Sequence, residues 1–157
     1  MSLSAPLPLS VNGAGLRIGI VAARFNPSLV DGLLARTLES LLTAGVSETE
    51  IGVVRVPGSH EVPWAAQALA LGDKYDCVIG LGVLIAGDTN HHEMVGAAVS
   101  DALLRVALET RVPVINGVLV VNSLAQAEAR CTGKINRGAE FAAAALEMAV
   151  LKGKLSR

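Results

Sequence analysis

No stretch of this sequence is apolar for long enough to cross a membrane. The longest apolar run, Val78 to Ala86, is interrupted by Gly80 and Gly82, and a spanning helix needs about 20 apolar residues. Charge is also scarce, at 17% of the 157 residues, and it cancels to a net −1. That balance offers no electrostatic footing for nucleic acid or an anionic membrane. Cysteine is limited to Cys77 and Cys131, a pair that fits no metal spacing and reads as reduced thiols of a cytoplasmic protein. Lysine is confined to Lys74, Lys134, Lys152 and Lys154. None falls in an expected strand or at its carboxyl end, which argues against Schiff-base chemistry on the enzyme. Neither a G-x-G-x-x-G nor a Walker sequence is present, so dinucleotide and nucleoside triphosphate binding are weak readings. The first 15 residues lack the basic start and apolar run of a secretory signal. With Pro6, Pro8, Gly13 and Gly15 they read as an arm, either loosely held or packed on a neighbouring subunit.

Apolar residues, by contrast, are in excess, at 52% with a mean hydropathy of +0.52. One domain of this length buries a real core, and the surplus apolar surface points to subunit contacts and a homo-oligomer. Residues 16–157 read as a single α/β domain behind the arm.

Strand and helix patterns alternate along the chain. Leu16 to Ala22 is a short β-branched run. Leu29 to Ala44 repeats Leu29, Val30, Leu33, Leu34, Leu38, Leu41 and Leu42 on one helical face, with Ser28 as the expected N-cap and Gly45 as the stop. Ile51 to Val56 predicts the second strand and Val62 to Leu71 the second helix, ended by Gly72. Cys77 to Ile85, apolar on both faces, suits the inside of a parallel sheet. A third helix is expected from about His91 to Thr110, and a fourth strand over Val114 to Val121. Ser123 with Gln126 predicts a capping box opening a short helix to about Arg130. The last helix spans about Gly138 to Lys152 and is apolar nearly all round, which suits burial against another subunit. Such alternation implies a parallel sheet with helices on both faces. The simplest arrangement is a three-layer α/β/α sandwich, flavodoxin-like, with four parallel strands.

In open parallel sheets ligands bind at the carboxyl ends of the strands. Arg24-Phe25-Asn26, Pro57 to Glu61, Ala86 to His91 and Asn122-Ser123 follow the four expected strands. They gather His60, His91 and Phe25, although any βα loop is polar and exposed. Gly87, Asp88 and Thr89 lead into the third helix, whose free N–H groups favour an anion such as phosphate. Ordinary capping by Thr89 or Asn90, with Glu93 closing a box, accounts for the same residues. A neutral imidazole at His91 can give and take protons; it reads equally as a surface histidine. His91, His92 and Glu93 occupy consecutive helix positions that diverge, so a shared metal is disfavoured. Arg130 suits a phosphate clamp, but unaided reads better as a solvated helix-end charge.

RFN (Arg24 to Asn26), VPGSHEVP (Val56 to Pro63), GVLIAGDTNHHEMV (Gly82 to Val95), VPVINGVLVVNSLAQAEAR (Val112 to Arg130) and NRGAEFAAAALEM (Asn136 to Met148) together resemble lumazine synthases, in order over about residues 15 to 152. The resemblance implies condensation of 5-amino-6-(D-ribitylamino)uracil with 3,4-dihydroxy-2-butanone 4-phosphate, in riboflavin biosynthesis, with loss of phosphate and water. It implies no cofactor and no metal. By the same resemblance Phe25 stacks on the pyrimidine, and Ser59, His60 and Glu61 line the ring and ribityl pocket. Val83, Leu84 and Ile85 offer backbone groups to the uracil edge, while Gly87, Asp88 and Thr89 hold the phosphate. His91 shuttles protons. Arg130 reaches the phosphate from an adjacent subunit, with Asn116 facing the same pocket. The family forms pentamers, some stacked into larger shells.

Several positions depart from the family's usual pattern. His60 stands for Phe, Leu or Tyr, Ala86 for Arg or Lys, Asn116 often for Phe, and His92 for an aromatic. Val120 and Val121 replace a Thr-rich turn, and the loop from Arg130 to Asn136 is one residue short. The implied pocket is poorer in aromatics. These losses support an alternative, a catalytically weakened paralogue that sequesters lumazine or riboflavin. A third reading, a flavodoxin-like regulator binding phosphate through Asp88 and Thr89, would predict a monomer.

Overall fold

The computed structural model describes residues 4–156; residues 1–3 of the expected arm and residue 157 lie outside them. Four strands, β1 (Ile18–Ala23), β2 (Ile51–Val56), β3 (Cys77–Ile85) and β4 (Val114–Val121), form one sheet. All three pairings are parallel, in the order β2-β1-β3-β4. Helices α1 (Pro27–Thr43), α2 (Val62–Leu71), α3 (His91–Thr110), α4 (Leu124–Cys131) and α5 (Arg137–Leu155) connect and close the chain. Helices α1, α4 and α5 pack on one face of the sheet and α2 with α3 on the other. This is the expected three-layer sandwich with a four-stranded parallel sheet.

Alternation along the strands divides the core. Ile18, Ile20 and Ala22 of β1 join Ile79 and Leu81 of β3 under α1 and α5. Val21 and Ala23, with Val78, face α2 and α3. Ile18, Ile20, Ile79 and Leu81 are wholly buried, and full burial of such a side chain contributes about 1.5–3 kcal/mol. Contact between α1 and α5 is close where Gly138 meets α1: a Cβ there would sit 2.8 Å from the Leu33 carbonyl oxygen. The buried Thr37 hydroxyl donates to the Leu33 carbonyl at 2.8 Å and also lies 3.3 Å from that of Gly138.

Helix ends show where local signals misled. Ser28 does not cap α1. The helix begins at Pro27, two residues before the expected start at Leu29, and the proline's fixed φ and missing N–H suit the first turn. Asn26 precedes it in the left-handed region (φ 55°, ψ 58°), with its side chain turned elsewhere. Gly45 does stop the helix, at φ 102°. Asn90 precedes α3 without a side-chain cap bond, so the anticipated Asn90–Glu93 box is absent; Thr89 Oγ1 instead accepts weakly from the His91 N–H at 3.4 Å. At α4, Ser123 Oγ accepts from the Gln126 N–H as expected, while Gln126 Oε1 accepts from the N–H of Asn122 rather than of Ser123, so the box is half formed. The last helix runs longer at both ends than its apolar pattern suggested. It buries Phe141, Ala142, Ala145, Leu146 and Ala149 in its own chain's core. Its apolar character is thus largely used inside the chain, with Leu151 and Leu155 left exposed.

Candidate active site

The order β2-β1-β3-β4 makes successive crossovers leave in opposite directions at the β1/β3 boundary. A crevice opens at the carboxyl ends of those strands, the usual ligand position in such sheets. A cavity of about 490 Å³ lies there, within the range of small-molecule sites. Three loops build it. Phe25 and Asn26 come from the β1–α1 loop. Gly58, Ser59, His60 and Glu61 come from the turn after β2. Val83, Leu84, Ile85, Gly87, Thr89, His91, His92 and Val95 come from the end of β3 and the start of α3.

Register explains why the end of β3 is available. Pairing with β1 stops at Leu81, whereas pairing with β4 continues to Ile85. Beyond Leu81 the β1 side of β3 therefore has no strand partner. Asn26 fills part of that gap: its Nδ2 donates to the Val83 carbonyl at 2.9 Å. Its left-handed backbone, which Asn tolerates better than most residues, aims the side chain across the sheet. In a parallel ladder alternate residues turn their peptide groups to opposite edges. Leu84 therefore faces β4, while Ile85 shares the open side with Val83, whose oxygen Asn26 already engages.

Phe25 is 71% exposed, and its ring lies over the turn after β2: a Cβ on Gly58 would come within 3.0 Å of Phe25 Cδ2. Glu61 Oε2 accepts from the Gly58 N–H at 3.0 Å, so one carboxylate oxygen shapes the turn and the other is left for a ligand. Arg55 fastens the end of β1 from the neighbouring strand. Its Nε and Nη2 donate to the Ala22 and Ala23 carbonyls at 3.3 and 3.2 Å, and Nη1 pairs with Asp31 at 3.0 Å. Ser59 is buried with its hydroxyl against Gly82, where a Cβ would collide with it. His91 is exposed and His92 buried, the divergence expected of consecutive helix positions. Among the described residues no three His, Cys, Asp or Glu side chains are placed to share a metal ion.

The cavity thus brings together Phe25, Ser59, His60, Glu61, Val83, Leu84, Ile85, Gly87, Thr89 and His91. Asp88 is exposed beside it in the same loop but does not line it. Asn116 and Arg130 are not at the cavity of their own chain. Asn116 pairs with Gly80 on the edge strand β4, and its Oδ1 accepts from the Val118 N–H at 3.0 Å. Strand β3 stands between it and the crevice. Arg130 Nη1 donates back to the Gln126 carbonyl at 3.0 Å, the helix-end arrangement that its position alone favoured. Sequence reasoning did not single out Asn26, Gly58, His92 and Val95 as lining residues. Asn before an N1 proline was the available signal for the first; the others depend on how the turn and α3 meet.

A parallel α/β sheet with a cavity of small-molecule size at its topological switch point is the arrangement of a ligand-binding or catalytic domain. Residues 15–153 match the family model described as 6,7-dimethyl-8-ribityllumazine synthase. The chain is 46% identical over 146 residues to the 6,7-dimethyl-8-ribityllumazine synthase of Paracidovorax citrulli, covering 93% of each chain. It is 45% identical to that of Laribacter hongkongensis over 93% of this chain and 92% of the relative. The corresponding protein of Thermococcus gammatolerans is 43% identical, over 91% of this chain and 92% of the relative. The chain belongs to the 6,7-dimethyl-8-ribityllumazine synthase family.

Proposed function

We propose that this chain is a 6,7-dimethyl-8-ribityllumazine synthase, condensing 5-amino-6-(D-ribitylamino)uracil with 3,4-dihydroxy-2-butanone 4-phosphate. The observation that carries the reading is the convergence of Phe25, Glu61, Ile85, Thr89 and His91 on one cavity at the β1/β3 switch point, in a member of that family. Phe25 offers a flat face for the pyrimidine, and the open peptide edge at Ile85 suits its carbonyl and N–H groups. The free oxygen of Glu61 accepts from ribityl hydroxyls. Gly87, Asp88 and Thr89, at the start of α3, hold the phosphate.

The chemistry asks for proton transfer and anion binding. The substrate's 5-amino group attacks the ketone, and loss of water gives an imine. Loss of the C3 proton then expels inorganic phosphate from C4, the enol so formed tautomerises to a new ketone at C3, and the ribitylamino nitrogen closes the ring on that carbonyl with loss of a second water. His91, at the mouth between the phosphate loop and the ring position, passes these protons. No step needs a covalent bond to the enzyme, so most of the acceleration comes from holding two substrates together.

Arg130 and Asn116, remote from their own cavity, serve that of an adjacent subunit. The assembly we propose is a pentamer or a multiple of it, with residues 1–15 as an arm ahead of the α/β domain and a cytoplasmic location. Exposed Trp64, Leu104 and Leu108 on α2 and α3, and Val53 and Val54 on β2, supply apolar surface for subunit contacts. Among the described residues no helix is long and apolar enough to cross a membrane.

Mixing both substrates with the protein tests the reading. Appearance of lumazine fluorescence with equimolar phosphate release is expected. Tight lumazine or riboflavin binding without turnover would instead favour the sequestering protein, which His92 in the cavity wall and the short Ala86 side chain beside it keep in view.

A further inference from the structure

Among the described residues, the buried side-chain polar atoms without a hydrogen-bond partner are Arg36 Nη1, Ser59 Oγ, His92 Nδ1 and Arg137 Nε. Both arginines are otherwise engaged, Arg36 with the Thr132 carbonyl at 2.7 Å and Arg137 with Glu140 at 2.9 Å. Ser59 and His92 belong to a different situation. Each lines the same cavity, and they are only 4% and 8% exposed. The turn carrying Ser59 packs directly on α3, which carries His92. Native proteins rarely leave buried polar atoms unpaired unless a ligand or water completes them.

We propose that His92, with Ser59, reads hydroxyl groups of the polyol chain of the bound substrate, making His92 a specificity-determining residue of this site. The inference rests on the functional reading above and goes beyond it in assigning His92. His92 Nε2 lies 4.0 Å from Glu93 Oε1, so in the tautomer that carries its proton on Nε2 that N–H is the one beside the carboxylate. Nδ1 is then an acceptor. The Ser59 hydroxyl both donates and accepts. A ligand hydroxyl can donate to Nδ1 and accept from Ser59, and successive hydroxyls of a polyol can serve one each. A ring carbonyl, which only accepts, would leave Nδ1 unpaired. The depths also agree: Phe25, at 71% exposed, suits a flat ring at the mouth, and the two unpaired atoms lie deeper.

The test is a fluorescence titration of wild type, Ser59→Ala and His92→Phe. The probes are 6,7-dimethyl-8-ribityllumazine and the same lumazine with a methyl group in place of the ribityl chain. Each substitution is expected to weaken the ribityl compound about three- to ten-fold, the usual worth of one neutral hydrogen bond, and to leave the methyl compound unchanged. Equal affinities of variants and wild type for the ribityl compound would overturn the proposal. So would an equal loss on both compounds, which marks a packing defect. Ser59→Ala removes a single buried atom and makes the same comparison if His92→Phe fails to fold. If wild type bound neither compound, the functional reading itself would fail, a result distinct from the other two.

Discussion

Asn26 holds the site together by two separable effects, and substitution can take them apart. Its backbone sits at φ 55°, ψ 58°, and its Nδ2 donates to the Val83 carbonyl at 2.9 Å. Asn26→Ala removes a hydrogen bond worth about 0.5–1.5 kcal/mol net. It also puts a residue with no local polar compensation in the left-handed region, which costs about 1 kcal/mol more. Asn26→Gly loses the same bond but takes the backbone conformation freely, offset in part by the greater freedom of glycine in the unfolded chain. We expect about 2 kcal/mol of destabilisation for alanine and about 1 kcal/mol for glycine. Urea unfolding at matched protein concentration, with slopes checked for constancy, measures the difference. Both variants free the Val83 carbonyl and loosen the Phe25 loop, so both should bind the lumazine product more weakly. Equal destabilisation by the two, or a more stable alanine variant, would refute the assignment of strain to this position.

His91→Ala is expected to lower kcat by about 100-fold, the usual scale of general acid–base help, while Arg130→Ala should cost more because the phosphate loses a charged partner; steady-state kinetics decides both. Refolding the two variants together should rebuild about a quarter of the sites if subunits assort at random and the site is shared, and no recovery would place Arg130 outside the neighbour's cavity. Gly82→Ala pushes a Cβ into the Ser59 hydroxyl and should destabilise the fold by about 1–3 kcal/mol, seen as a lower urea midpoint. Burial pushes the Cys77 thiol from 9.0 up to about 12 and that of Cys131 up to about 11. Native protein should therefore resist thiol reagents at pH 8. Its stability should fall as pH rises from 9 towards 11, because the unfolded thiols ionise there while both folded ones stay largely protonated, Cys77 continuing the fall towards 12; rapid native labelling would contradict this.

The strands were legible because burial on both faces leaves an unmistakable apolar run: Cys77 to Ile85 reads as β3 from its sequence and is β3 in the structure. The loops at the strand ends were legible for a related reason, since a parallel sheet sends its ligand site to one edge. Helix starts were less so. Ser28 and the Asn90–Glu93 pair have capping chemistry, but a proline at the first turn and the demands of the crevice decided otherwise. His92 shows the sharper limit. His91 beside it has the same chemistry, yet which of two adjacent histidines is exposed and which is buried is fixed by how α3 lies on the turn after β2. No local pattern contains that information.

Asn116 and Arg130 carry the same point to the next level of organisation. Within one chain they have ordinary roles, one beside an edge-strand N–H and the other on its own helix end. Nothing about either side chain alone separates a spare surface residue from half of a shared site. The proposal that they serve a shared site rests on the company they keep: a sheet that exposes Val53 and Val54 at one edge, and Trp64, Leu104 and Leu108 on the outer helices. A monomer gains nothing from this much apolar surface, and the phosphate site proposed above has no arginine or lysine of its own chain in the cavity lining. The proposed assembly would bury that surface and bring a neighbour's Arg130 to the cavity, so mass in solution and activity of the mixed variants must agree: an active monomer would refute both parts of the proposal.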